Sequence, residues 1–321
     1  MVVALARQLT AKKSAKTAQQ QIDKPADTLK GQKATKITAH AKNAILAPLY
    51  LYQGRKVKRS TIRLPEPSGD RCGCIDLYTN QDAAISSLPI SHLPSLTLMI
   101  IGDSAAAGVG SETQQQALSG HLIPALQQNQ SIYNQFQGLN WCLQATTGHT
   151  SFDILRRLYV LAPPRLPVDV MIISVGVNDT TANTSAVKWQ QQLADIITIA
   201  QRKFGVRQLI FCGLPPMAHM PALPAPLSHF IGAKAAQLDH VLQHVCHQNK
   251  GVHYMATDFA QIAANHAHVI NAPLDAPLDK AAMFASDGFH PSSITYRYWA
   301  EQLAELIVIL LDDASRSSET I

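Results

Sequence analysis

From residue 96 onward, the chain alternates short unbroken apolar runs with longer stretches whose apolar side chains recur at helical spacing. Leu96–Ile101 (closed by Gly102), Leu139–Ala145, Val168–Val175, Gln208–Cys212 and Val252–Met255 are the runs, and they predict strands buried on both faces. Glu112–Gln128, with Leu118, Leu122 and Leu126 spaced by four, predicts a helix. So do Phe152–Leu161, Ser185–Lys203, Pro226–Asn249 and Ser292–Leu311. Strands that alternate with helices imply βαβ units and a parallel sheet covered on both sides. Such a sheet gathers functional groups at the carboxyl ends of its strands.

The first 70 residues read differently. Residues 10–36 are mostly Lys, Gln, Ala and Thr, too polar to bury a core, and are expected to be mobile. In residues 37–52, Ile37, Ala41, Ala44, Ile45 and Leu49 share a helical face interrupted by Pro48, and Arg55, Lys56, Lys58 and Arg59 follow. That pattern suits an arm docked on the main domain, or a peripheral contact with an anionic membrane through residues 37–59. Nucleic-acid binding would want more interleaved aromatics and is not expected. Leu64–Asp70 (LPEPSGD) reads as a linker. The expected organisation is a basic, partly disordered arm and linker over residues 1–70, then one domain over 71–321 with its core in 96–312.

Charge sharpens this division. Residues 1–70 hold 14 Lys/Arg against 4 Asp/Glu, and the remainder 13 against 18, so the net +5 hides a basic arm on an acidic body. With 46% apolar and 15% charged residues, the chain is neither collagenous nor wholly disordered nor a disulfide knot. No apolar run approaches the roughly 20 residues of a transmembrane helix. Met1–Leu9 lacks the apolar stretch and cleavage site of a signal peptide, although Arg7, Lys12, Lys13 and Lys16 in an acid-poor opening resemble transit peptides. The five cysteines are scattered: Cys142 and Cys212 read as small core residues, and Cys72 and Cys74 form a C-x-C pair with no second pair at zinc spacing. The set suggests a reducing compartment, so a cytoplasmic location is expected.

Four short segments follow predicted strands. Gly102-Asp103-Ser104 places a hydroxyl at a strand tip among small residues. Gly148 can turn its backbone N–H toward a ligand with no side chain in the way. In Gly176-Val177-Asn178-Asp179 the Asn178 amide is a neutral donor for a developing oxyanion. In Asp287-Gly288-Phe289-His290-Pro291 a carboxylate reaches an imidazole on one loop, and Pro291 suits the first turn of the next helix. Alone, each is an ordinary turn or cap. Together they supply a serine nucleophile, donors for its oxyanion and an Asp–His pair.

At this point the chain resembles the SGNH, or GDSL, family of serine esterases and lipases, whose four blocks match in order at Ser104, Gly148, Asn178 and His290. The resemblance covers residues 96–312. It implies a flavodoxin-like three-layer α/β/α sandwich with a five-stranded parallel sheet (the SGNH hydrolase fold), and no metal or organic cofactor. It further implies Ser104 as nucleophile, His290 as base and then acid, and Asp287 as the residue that orients His290. The Ser104 and Gly148 N–H groups and the Asn178 side chain would form the oxyanion hole, with Asp179 shaping the Asn178 loop. The implied function is a serine esterase acting on carboxylic esters of a small molecule, lipid or sugar. The alternative is an inactive SGNH-like domain that binds acyl or glycan ligands, recruited by its arm.

Other chemistries fit less well. G-x-S-x-G, G-x-G-x-x-G and G-K-[ST] are all missing. His240, His244 and His247 could share a helical face and hold a metal, but a solvated face explains them better. Gly213–Ser228 and Asn271–Ser286 are long loops expected to frame the site, with Met217, Met220, Leu223 and Met283 as apolar walls for a short or medium acyl chain.

Overall fold

The computed structural model describes residues 27–77, 81–82, 93–257 and 282–318. The expected loop residues 271–281, and the arm before residue 27, lie outside the described residues. Contacts divide the chain into two units, Met1–Arg55 and Lys56–Ile321.

Helix α1 (Asp27–Ser60) runs through Pro48 without a break and begins ten residues before the apolar face expected from Ile37. Within it Ile45, Leu51 and Tyr52 are exposed. No described helix is long and apolar enough to cross a membrane.

The second unit is built on a sheet of seven strands: β1 (Cys72–Asp76), β2 (Gln81–Asp82), β3 (Ser95–Gly102), β4 (Gly138–Ala145), β5 (Val170–Ser174), β6 (Gln208–Cys212) and β7 (Val252–Met255). Their order is β2-β1-β4-β3-β5-β6-β7. The five strands from β4 to β7 in that order are parallel, as the resemblance implies, and the apolar runs fall on them. The antiparallel extension by β1 and β2 goes beyond that expectation.

Side chains of the central strands alternate between two cores. Leu96, Leu98 and Ile100 of β3, with Val170 and Ile172 of β5, face one cluster. It is completed by α3 (Leu118–Gln127), α4 (Gln130–Gln135) and the closing helix α9 (Ser293–Ser318). Met99 and Ile101, with Met171 and Ile173, face the other. There α5 (Ser151–Val160), α7 (Ala186–Phe204) and α8 (Leu227–Gln248) cover the sheet. Three layers result. Two short helices complete the site side: α2 (Ser104–Ala107) and α6 (Val177–Thr181). The stretch from Glu112 is not helical until Leu118, being a single 3-10 turn over Gln114–Gln116 first.

One cysteine expectation is overturned. Cys142 is no free core thiol, because the antiparallel register of β1 on β4 sets Cys72 opposite Cys142 and the two form a disulfide. The remaining thiols, Cys74, Cys212 and Cys246, are buried. Burial pushes Cys212 and Cys246 up to about 12, so neither is reactive. Disulfides persist in oxidising surroundings, so the cysteines do not support a reducing compartment.

Candidate active site

The site grows from the end of the central strand β3. A Cβ on Gly102 would sit 2.4 Å from the Ser174 carbonyl oxygen and 2.6 Å from Ala106 Cβ, so only glycine lets α2 start this close to β5. Asp103 then caps α2, its Oδ1 accepting from Ala105 N at 3.1 Å. The Asp103 side chain is buried, and burial pushes its carboxyl up to about 7 against the opposing pull of the Ala105 N–H and His290. Ser104 follows, half-buried, as the first residue of α2.

The Gly148 loop leaves the neighbouring β4 and is tied back to β3 by Thr146 N donating to Gly102 O at 3.1 Å. Gly148 has a φ of +85°, which disfavours other residues although there is open space for a Cβ. On the other flank, Gly176 (φ +128°) turns β5 into α6. Asn178 there donates from Nδ2 to His149 O at 3.0 Å and, at a longer 3.4 Å, to Asp103 Oδ2. Asp179 is buried and accepts from Ser151 N, Ser151 Oγ and Thr184 Oγ1. Ser151 Oγ also donates to Gln192 Oε1 at 2.8 Å, and neither Ser151 nor Gln192 carries a signal in the sequence.

The Asp287–His290 loop closes the site from the C-terminal end. Asp287 Oδ2 lies 2.6 Å from His290 Nδ1, and Oδ1 accepts from the backbone N–H of Phe289 and His290 at 2.9 and 3.0 Å. Burial alone would raise the Asp287 carboxyl, but the His290 ring and the two N–H groups outweigh it and hold it below the usual range. Pro291 lies ahead of α9 and pairs with Phe284 in an isolated bridge, so it is not in the first helical turn as expected; Ser292 Oγ accepts from Thr295 N instead. The loop is drawn to Ser104's own loop by close packing: a Cβ on Gly110 would meet Pro291 O at 2.4 Å. Tyr296 OH also donates to Val109 O at 2.8 Å.

Ser104, Asn178 and His290 line one cavity of about 200 Å³ with Met217, Met220 and Phe289. Among the described residues no hydrogen bond joins Ser104 Oγ to His290, and Gly148 is not part of the cavity wall. Two of the four expected apolar walls lie elsewhere. Met283 turns into the core on the α9 side of the sheet, with its carbonyl accepting from Thr295 Oγ1, and Leu223 packs against the opposite core. His240, His244 and His247 are not gathered around a metal position: no cluster of metal ligands occurs among the described residues.

The model of the GDSL-like Lipase/Acylhydrolase family matches residues 100–298, which contain all four blocks. The chain belongs to this family. It is similar to a GDSL-like esterase of Mycobacterium tuberculosis, 27% identical over 227 residues, an alignment that takes 68% of this chain. The chain spans 62% of the length of that relative. Solved structures similar to this GDSL-family chain include a lipolytic G-D-S-L protein from Veillonella parvula (12% identical, covering 65% of this chain and 97% of that one, TM-score 0.47). Others are a carbohydrate acetylesterase from Sinorhizobium meliloti (14%, 67% and 99%, TM-score 0.47) and an acetylxylan esterase from Geobacillus stearothermophilus (15%, 68% and 96%, TM-score 0.46).

Proposed function

We propose that the protein is a serine esterase that hydrolyses carboxylic esters of short or medium acyl chain through an acyl-enzyme. The observation that carries this reading is a cavity shared by Ser104, Asn178 and His290, with His290 held by a buried Asp287. In this reading Ser104 Oγ attacks the ester carbonyl while His290 Nε2 takes its proton. Asp287 accepts from Nδ1–H and supports the imidazolium. The carbonyl oxygen becomes an oxyanion that receives the Ser104 N–H, the Gly148 N–H and one Asn178 Nδ2–H. The long Asn178–Asp103 contact makes that last proton easy to redirect, while the shorter bond to His149 O keeps the amide in place. Collapse expels the alcohol with the proton from His290. Water then enters, is deprotonated by His290 and releases the acid. A cavity of about 200 Å³ is smaller than the roughly 300 Å³ at which pockets for drug-sized ligands begin, which favours a small acyl group against Met217 and Met220.

Hydrolysis of p-nitrophenyl acetate and butyrate, with fluorophosphonate labelling, tests the reading; a folded protein showing neither would leave the inactive binding domain as the better account. Asn178→Ala adds a residue-level check. Losing one oxyanion donor should lower kcat by about 10²–10³ with KM little changed. A near-wild-type kcat in the folded variant would remove Asn178 from the machinery.

A peripheral membrane contact through residues 37–59 is favoured by one observation. Ile45, Leu51 and Tyr52 are exposed on a helix that ends in Lys58 and Arg59. Vesicles rich in phosphatidylserine should then bind the full chain at low salt and release it at high salt. Equal behaviour toward neutral phosphatidylcholine vesicles would refute the contact.

A further inference from the structure

The segment Leu64–Asp70 reads as a linker, yet its side chains, with that of the following Arg71, are tied to the site's loops. Glu66 accepts the Thr147 N–H at 2.6 Å through Oε1 and the Thr147 hydroxyl at 2.8 Å through the same atom. Its other oxygen, Oε2, accepts a hydrogen bond from Arg71 Nη1 at 2.8 Å. Arg71 reaches onward from NH2 to the carbonyl of Ala145, the last residue of β4, at 2.5 Å. The two side chains therefore grip both ends of the short turn 145–147 that leads into Gly148.

The same segment is sewn to the Ser104 loop. Gln114 N donates to Ser68 O at 2.8 Å, and Gln114 Nε2 donates to Ala107 O at 2.9 Å and to Pro67 O at 3.4 Å. Pro67 is buried beside Gly108, where a Cβ on the glycine would approach its ring to 3.1 Å. One short stretch thus spans the loops that bear the two backbone donors of the proposed oxyanion hole.

We propose that Glu66 is a positioning residue for the Gly148 backbone donor. Gly148 stands outside the cavity wall, one residue before the His149 carbonyl that holds the cavity residue Asn178, and Glu66 fixes Thr147 so that the following N–H can reach the reacting carbonyl oxygen. This rests on the esterase reading above. Three features favour a positioning role over a simple tether. A Cβ on Gly148 would meet no neighbour, so no packing against that position helps to hold the turn, which is left to its hydrogen bonds. A charge-assisted bond to a backbone N–H fixes the adjacent peptide more firmly than a neutral one. Finally, the Glu66 carboxyl is held below its usual range, since the Thr147 N–H and hydroxyl and Arg71 outweigh the raising effect of burial, so it is an anion at neutral pH.

The test uses the full chain with p-nitrophenyl esters and a trifluoromethyl ketone, whose hemiketal oxyanion mimics the intermediate. Glu66→Ala should lower kcat by about 10- to 100-fold with KM within twofold, because a misplaced donor is missed chiefly in the transition state. The inhibition constant for the ketone should rise by the same factor as kcat/KM falls. Thr147→Val keeps the N–H and loses only the hydroxyl, so it should cost less than about threefold on the same reasoning. Unchanged kcat and inhibitor affinity in folded Glu66→Ala would overturn the proposal, and so would a loss confined to KM. Should Glu66→Ala fail to fold, Arg71→Met carries the same paired readout: a matched fall in kcat and inhibitor affinity supports the clamp, and no change overturns it. If the wild type neither hydrolyses nor labels, it is the esterase reading that fails. Hydrogen exchange at Thr147 and Gly148 then decides the clamp alone: faster exchange in Glu66→Ala supports it and equal exchange rejects it.

Discussion

Ser104→Ala will abolish fluorophosphonate labelling and bring ester hydrolysis down to near background, a loss on the order of 10⁵–10⁶ by comparison with nucleophile removal in subtilisin. Ser104 shares the cavity with His290 at the end of β3; of the other hydroxyls that line it, those of Thr181 and Thr257 are spent on the carbonyls of Asn178 and Gly213, and that of Ser174 belongs to a buried residue at the end of β5. The melting temperature should stay close to that of the wild type. Ser104 is half-buried, its Oγ makes no hydrogen bond among the described residues, and alanine suits the helix it starts. A variant that retains labelling, or loses less than about tenfold in rate, would place the nucleophile elsewhere.

Asp287→Asn should be nearly as damaging for a different reason. The variant keeps the volume and leaves an oxygen for the Phe289 and His290 N–H groups, so the loop has no cause to move. Its amide hydrogens, however, would meet His290 Nδ1 where the carboxylate oxygen now lies 2.6 Å away. The imidazole proton is then driven to Nε2, and a protonated Nε2 cannot accept from serine. A fall of about 10⁴ in kcat with little change in KM is expected, as for the wrong tautomer in serine proteases. Stability supplies a second signature. The folded carboxyl is held below its usual range, so its contribution is present above the unfolded value of about 3.9 and is lost only as the pH falls through the folded one. The melting-temperature gap between wild type and Asp287→Asn should therefore be steady near neutrality and narrow only below about pH 4. A kcat within tenfold of wild type would sink the orienting role.

What can be read in advance follows from how local each signal is. Strands β3, β5, β6 and β7 lie within the sheet's parallel core, and each announces itself as an apolar run. Strand β1 (CGCID) does not, because its pairing is dictated by β4, some 66 residues away, and the Cys72–Cys142 bond is hidden with it. Ser104, Gly148 and Asn178 stand just after strands and Asp287 and His290 just before the closing helix, so all four blocks are legible as chemistry. Met283 misleads because its neighbour Thr295 and the bridge from Phe284 to Pro291 turn it inward, contacts that no spacing reveals. Glu66 is invisible for the plainest reason: its partner Thr147 lies 81 positions on, and a Pro-rich stretch carries no periodicity to mark it.

The central position of β3 has a consequence for how the proposed site is assembled. Ser104 emerges from that strand, but His290 and the Tyr296–Val109 bond that draws its loop in come much later in the sequence, the bonded pair standing 187 positions apart. No local hairpin or helix pair assembles these groups; the closing helix must first settle on α3 across one face of the sheet. During synthesis Ser104 is therefore made long before His290, and in the esterase reading a chain still short of residue 290 lacks the proposed base. Contacts of such separation form slowly and late. In the esterase reading, hydrolytic competence waits on the packing of the Asp287–His290 loop and the helix that follows it.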